Sequence, residues 1–179
     1  MVGDGRRIAR LSRRLALALT GVIAGALAFA AAPGFALSLT AHTNRGGTCH
    51  LQSTASRSGE QIRYGVKVND CSTRFGVRYV VSRGALYDKT AGVPVDNGYL
   101  ALRKSRELPY SNRRAVNGTD PDHAYQTKID VSIVLKTRRH RSTRRPEHWR
   151  DPGKRCRVKT TYHDGDTLGC ELNVVLPAG

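Results

Sequence analysis

The sequence predicts an all-β fold: an antiparallel two-sheet sandwich, immunoglobulin-like in architecture, with about seven strands and two disulfides, preceded by a helical export signal. Three observations predict it. After residue 37, apolar side chains recur at every second position, the period of half-buried strands, and no segment shows a convincing helical period. Clusters of Gly, Asn, Asp and Ser punctuate these runs. The four cysteines, Cys49, Cys71, Cys156 and Cys170, all follow the N-terminal apolar stretch, and an even number in an exported chain reads as a disulfide framework.

The N-terminal segment comes first. Arg6, Arg7, Arg10, Arg13 and Arg14 form a basic start, residues 15–32 (LALALTGVIAGALAFAAA) carry no charge, and small residues follow in PGFALS. Basic start, apolar middle and small-residue cut site are the layout of an export signal. Cleavage is expected after Ala36, with Gly34 at the −3 position; Ala30 and Ala32 are alternative cut sites. The rival is an uncleaved anchor through residues 15–32, near the length that spans a bilayer, with the basic end inside. SRRLAL also fits a twin-arginine signal loosely, but that route carries folded proteins, and disulfides formed after export favour the general secretory route. The domains expected are thus the signal, 1–36, and one disulfide-stapled β-sandwich, 37–179.

The strands follow in order. CHLQSTA, near Cys49, opens the series. QIRYGVKVN places Ile62, Tyr64, Val66 and Val68 on one face and Arg63 and Lys67 on the other. RFGVRYVVS places Phe75, Val77, Tyr79 and Val81 together. GYLALRK is a shorter candidate around Tyr99–Leu102. AYQTKIDVSIVLK is the strongest, with Tyr125, Thr127, Ile129, Val131, Ile133 and Leu135 on one face. CRVKTTY and TLGCELNVVL, joined by the turn HDGD, form a hairpin whose apolar face carries Cys156 and Cys170. SRSGE, NDCST, DNG and NGTDPDH are read as turns or loops. The sequential pairing, Cys49–Cys71 and Cys156–Cys170, is preferred among the three possible. Residues 103–124 and 137–155 read as long basic loops, a length that marks functional or disordered segments.

The chain holds 30 Lys and Arg against 14 Asp and Glu, a formal net charge of +16. Such a charge selects anionic partners and argues against a halophilic setting, where surfaces are acidic. Aromatic residues make up only 6% of the chain, too few for a broad base-stacking surface. The charge is densest in KTRRHRSTRRPEHWR, residues 136–150. Arginine forks suit phosphate, sulfate and carboxylate, so Arg138, Arg139, Arg141, Arg144 and Arg145 are the candidate polyanion-binding residues, with Arg113 and Arg114 in support. The alternatives are a plain solvated loop and a dibasic processing site at Arg138–Arg139 or Arg144–Arg145. Trp149 is expected as a lid on the sandwich rather than a stacking platform for a sugar or base.

Other chemistry is weaker. Zinc is disfavoured because no C-x-x-C or spaced His pair occurs. Asp120 and Asp122 begin a calcium loop without its later oxygen ligands. His42, His50, His123, His140, His148 and His163 are available as general bases, but no nucleophile elbow or HExxH accompanies them. Asn117 opens an NGT sequon, relevant only in a glycosylating host. The expectation is therefore a secreted or cell-surface, non-catalytic protein that binds an anionic envelope or extracellular polymer, or an anionic membrane surface. It needs no cofactor, no metal and no physiological nucleic acid. The alternatives are a protein-binding inhibitor or effector, and a secreted hydrolase with a loop-built site.

Overall fold

A computed structural model describes residues 34–136, 147–150, 153–161 and 165–179. Among these residues there are nine strands and no helix: β1 (Gly34–His42), β2 (Thr48–Ser58), β3 (Gln61–Cys71), β4 (Val77–Asp88), β5 (Val93–Ser105), β6 (Tyr110–Val116), β7 (Tyr125–Leu135), β8 (Cys156–Thr161) and β9 (Gly165–Leu176). They form two antiparallel sheets. Sheet I has the order β1-β2-β3-β6 and sheet II the order β5-β4-β7-β9-β8.

Strict alternation builds the core. Leu51, Ile62, Tyr64 and Val66 of sheet I and Leu86, Ile129, Ile133, Leu168 and Leu172 of sheet II belong to one buried cluster. Each such side chain contributes about 1.5–3 kcal/mol on burial. The disulfides pair as expected, Cys49–Cys71 and Cys156–Cys170. The first joins opposed residues of β2 and β3, the second opposed residues of β8 and β9. Each therefore staples neighbours within one sheet, unlike the inter-sheet bridge of immunoglobulin domains.

Several elements differ from expectation, each for an identifiable reason. Residues 103–124 are not one long loop. Arg103–Ser105 complete β5, and Tyr110–Val116 form β6 against β3. β6 is disguised because Asn112, buried at 6% exposure, occupies an inward position. Its Nδ2 donates to Ser82 Oγ and to the Ala101 carbonyl, both at 3.0 Å. The Tyr110 hydroxyl donates to the Arg103 carbonyl at 2.8 Å and lies 2.7 Å from Ser82 Oγ. This satisfied network ties β6 of sheet I to β4 and β5 of sheet II, where an apolar side chain would otherwise stand.

On β4 the expected face is split. A register shift against β7 between Val77 and Tyr79 leaves Val77, Val80 and Ser82 buried, while Tyr79 and Val81 turn outward. One extra residue at a bulge exchanges the two faces of the strand beyond it. DNG does not reverse the chain. Asn97, at φ 58°, and Gly98 lie inside β5, where the register with β4 jumps between Ala85↔Tyr99 and Tyr87↔Pro94. β1 was not anticipated. Gly34, Phe35 and Ala36 pair with Ser56, Ala55 and Thr54.

Of the span expected as a second loop, 137–146 and 151–152 lie outside the described residues, while residues 147–150 pair with the end of β1. Trp149 bridges Thr43, the Arg150 amide donates to the His42 carbonyl at 2.8 Å, and the Asn44 amide donates to the His148 carbonyl at 2.9 Å. Trp149 is 5% exposed and belongs to the core, the lid expected of it.

Candidate anion-binding groove

The outward face of sheet II carries an open, cation-lined groove. Its register sets residues in rows across the strands. One row runs Lys104, Val81, Ser132, Gly169, Arg157. The row on one side is Tyr79, Val134, Thr167, Lys159, and that on the other begins Arg83, Asp130, Glu171. Because side chains alternate, all of these project to the same side. Short side chains at Val81, Ser132, Thr167 and Gly169 form a low floor, and long cations rise at its margins. The result is a groove of about 790 Å³ lined by Arg83, Lys154, Arg155, Arg157 and Lys159, with Asp130 and Glu171 as its acidic residues.

The acidic residues do not neutralise it. Arg83 Nε lies 3.5 Å from Asp130 Oδ2, with both side chains well exposed, a surface pair worth little. Glu171 accepts from Asn173 Nδ2 at 2.9 Å. Lys154, Arg157 and Lys159 are exposed and have no carboxylate partner among the described residues. Gly169 keeps the floor open without strain. A Cβ there would come no closer than 3.8 Å to Ser132 Oγ and 3.9 Å to the Arg157 carbonyl.

Arg138, Arg139, Arg141, Arg144 and Arg145 lie outside the described residues. Their flanks are described. The Lys136 amide donates to the Gly76 carbonyl at 3.0 Å, and Val134 pairs with Thr167 beside Lys159. The chain therefore enters the arginine-rich stretch from the Lys159 end of the groove. Arg113 and Arg114 do not join the groove. Arg113 faces outward from sheet I, across the sandwich, and Arg114 Nε donates to the Asn97 carbonyl at 3.0 Å.

The groove cations on β8 and just before it were missed, although the sequence carries their signal. In KRCRVK, Arg155, Arg157 and Lys159 alternate with Cys156 and Val158. The parity that turns the cysteine inward turns three cations outward.

Glu147, His148 and Trp149 anchor the far end of the arginine-rich stretch. Glu147 is 6% exposed. Its Oε1 accepts from Thr43 Oγ1 at 2.7 Å and its Oε2 from the Phe75 amide at 3.3 Å. His148 Nδ1 lies 2.7 Å from Asp166 Oδ2, which also accepts from the Trp149 amide at 3.2 Å. These contacts hold backbone in place.

A second His–Asp pair organises the β6–β7 turn. Asp88 Oδ1 accepts from the Thr90 and Ala91 amides at 2.9 and 2.8 Å, and its Oδ2 lies 2.6 Å from His123 Nδ1. Burial pushes the Asp88 carboxyl upward, but the Ala91 amide, His123 and the Thr90 amide outweigh it and hold it below its ordinary 3.8. The hydrogen bond to Asp88 raises the His123 imidazole above 6.5, against a smaller opposing effect of burial. Asp120 and Asp122 close a local turn, the Asp122 amide donating to Asp120 Oδ1 at 2.9 Å.

A pH dependence follows from this pair. The Asp88 contribution is present above its unfolded value of 3.8 and is lost as pH falls through its lowered folded value. The His123 contribution is full below 6.5 and is lost as pH rises through its raised folded value. His123→Ala should therefore destabilise the protein more at roughly pH 6 than at roughly pH 9. Urea midpoints of both proteins at the two pH values check this; an equal loss at both would contradict it.

Compared with models of protein families, with curated proteins and with solved structures, the chain matches none.

Proposed function

We propose that this is an exported, non-catalytic binding protein whose ligand is a linear anionic polymer of the cell envelope or extracellular space. The observation that carries the reading is the groove on sheet II, with its short-side-chain floor and its rim of Arg83, Lys154, Arg155, Arg157 and Lys159. Aligned cations at strand spacing suit a repeating anion better than a compact one, and guanidinium forks suit sulfate, carboxylate and phosphate alike. Arg138, Arg139, Arg141, Arg144 and Arg145 stay in the proposal as further contacts on the strength of their charge in the sequence alone. Immunoglobulin-like remains our description of the two-sheet packing alone.

Export rests on the basic and apolar N-terminal segment, and the two disulfides are consistent with an oxidising compartment. Cleavage after Ala36 would remove Gly34, Phe35 and Ala36 from β1, whereas cleavage after Ala30 or Ala32 leaves the strand whole. The intact mass of the secreted protein is therefore expected to place its N-terminus before Gly34. A mass that begins at Leu37 would refute this; retention in the membrane fraction at full length would favour an anchor through residues 15–32.

The test of function is elution from immobilised heparin in a salt gradient. The exported protein is compared with K154S/R155S/R157S/K159S and, in parallel, with R138S/R139S/R141S/R144S/R145S. Gly169→Gln fills the groove without changing charge. The groove variants should elute at clearly lower salt, because each lost phosphate- or sulfate-type contact removes about one ion from the salt dependence. Elution of all the groove variants with the parent would refute the site.

A second reading has one observation in its favour. Val93, Tyr99 and Leu102 on edge strand β5 are 51, 60 and 72% exposed. Exposed apolar side chains gathered on one edge fit a protein partner. Leu102 also borders the groove, so the discriminating variant is V93S/Y99S: binding of a protein partner lost in it, with polyanion binding unaffected by the groove variants, would favour this reading.

A further inference from the structure

We infer that the protein has a second anion-binding face, on the opposite side of the sandwich, and that it bridges two anionic polysaccharide chains. The first attachment rests on the groove reading above; the second stands on residues of its own.

The middle of the outward face of sheet I is set by three register rows: Ser38, Gln52, Lys67, Ser111; Ala36, Thr54, Gly65, Arg113; and Gly34, Ser56, Arg63, Ala115, with His50 and the exposed Asp70 lying beyond the Lys67 end. Every side chain in these rows is small, hydroxylated, an amide or a cation. None is acidic, in a chain that carries 14 Asp and Glu. Three cations, Arg63, Lys67 and Arg113, surround Gly65. Arg63 and Lys67 stand two positions either side of it on β3, and Arg113 is its partner on β6.

Gly65 allows that cluster to form. A Cβ there would run into the Asn112 carbonyl and would stand 2.8 Å from Arg113 Cα and 2.9 Å from Arg113 Cγ. The arginine thus lies directly over the glycine, close to the sheet. Arg63 Nε donates to Gln61 Oε1 at 2.6 Å, which fixes the side chain and leaves its terminal nitrogens for a ligand. The neighbouring Ser38, Gln52, Thr54, Ser56 and Ser111 supply hydroxyl and amide groups of the kind that meet sugar hydroxyls. A cluster of cations with no acid among them, set in a flat hydroxylated surface, fits a sulfated or carboxylated polysaccharide.

The two faces act independently. Packed sheets lie about 10 Å apart, and the outward side chains add several ångströms on each side. The screening length at physiological salt is about 8 Å. Two polyanions bound on opposite faces would therefore repel each other weakly, and occupation of one face leaves the other free.

The experiment is a capture assay. The exported protein is loaded to saturation on heparin beads, the beads are washed, and fluorescent heparin is added. Capture of the soluble chain should depend on the protein. R63S/K67S/R113S should still load onto the beads but capture several-fold less. R63S/R113S, which leaves the half-buried Lys67 in place, keeps the test readable if the triple variant does not fold. K154S/R155S/R157S/K159S should also lose capture.

Unchanged capture by R63S/R113S would overturn the inference, because bridging would then run through another surface or through self-association. Loading of the parent protein without any capture would overturn it while leaving the groove reading intact. Failure of the parent protein to load at all would overturn both.

Discussion

Reduction of both disulfides is expected to cost the domain about 6 kcal/mol, a large share of the stability of an ordinary domain. The bridges close loops with sequence separations of 22 and 14 residues. Each restricts the unfolded chain by about 3 kcal/mol. Folded domains are stable by only about 5–15 kcal/mol. Urea unfolding with and without reductant measures the effect, and C156A/C170A should show about half of it. An unchanged midpoint would mean that the buried clusters of the two sheets suffice alone. The effect reaches the groove as well. β8 is the edge strand of sheet II, held by β9 and by Cys156–Cys170, and it carries Arg157 and Lys159. The C156A/C170A variant should therefore also leave heparin at lower salt, even where it remains folded.

Glu147→Ala is the second large effect, expected to destabilise by about 3 kcal/mol. Its carboxylate is buried and accepts from Thr43 Oγ1 and the Phe75 amide. Removal leaves a buried hydroxyl and a part-buried amide without their acceptor. Gly47 packs closely against this pair. A Cβ on Gly47 would lie 2.8 Å from Glu147 Oε1 and 2.9 Å from Thr43 Oγ1. A double-mutant cycle with Thr43→Val separates the pair from its setting, and a coupling above about 1 kcal/mol is expected between groups in direct contact. A loss below about 0.5 kcal/mol for E147A, the range of ordinary surface substitutions, would show that Glu147 does not anchor the end of the arginine-rich stretch.

The sequence made the sandwich legible wherever inward positions are apolar. β3, β7 and the β8–β9 hairpin follow the two-residue period, and both cysteine pairs fall at opposed positions. Legibility failed where tertiary contacts overrode the pattern. Asn112 faces inward because Ser82 and the Ala101 carbonyl satisfy it, and neither partner is near it in sequence. β1 begins in small and apolar residues that also suit the end of an export signal, so Gly34–Ala36 carry two meanings at once. The bulge in β4 leaves no mark in its composition.

The groove was hidden for a different reason. A run of consecutive arginines is conspicuous in a sequence, whereas Arg83 comes to share a groove with Arg157 and Lys159 only through the register of β4, β7, β9 and β8. The alternation in KRCRVK was the one local clue. The inward cysteine and valine imply, by the same parity, the cations on the opposite face.

The groove reading puts an anionic chain along the floor of sheet II. The most direct measurement is an amide chemical-shift titration of the exported protein with a short heparin oligosaccharide at low and at physiological salt. The largest changes are expected at Ser132, Arg157, Thr167 and Gly169, and they should weaken as salt rises. Saturable binding that leaves these four amides unmoved would contradict the claim.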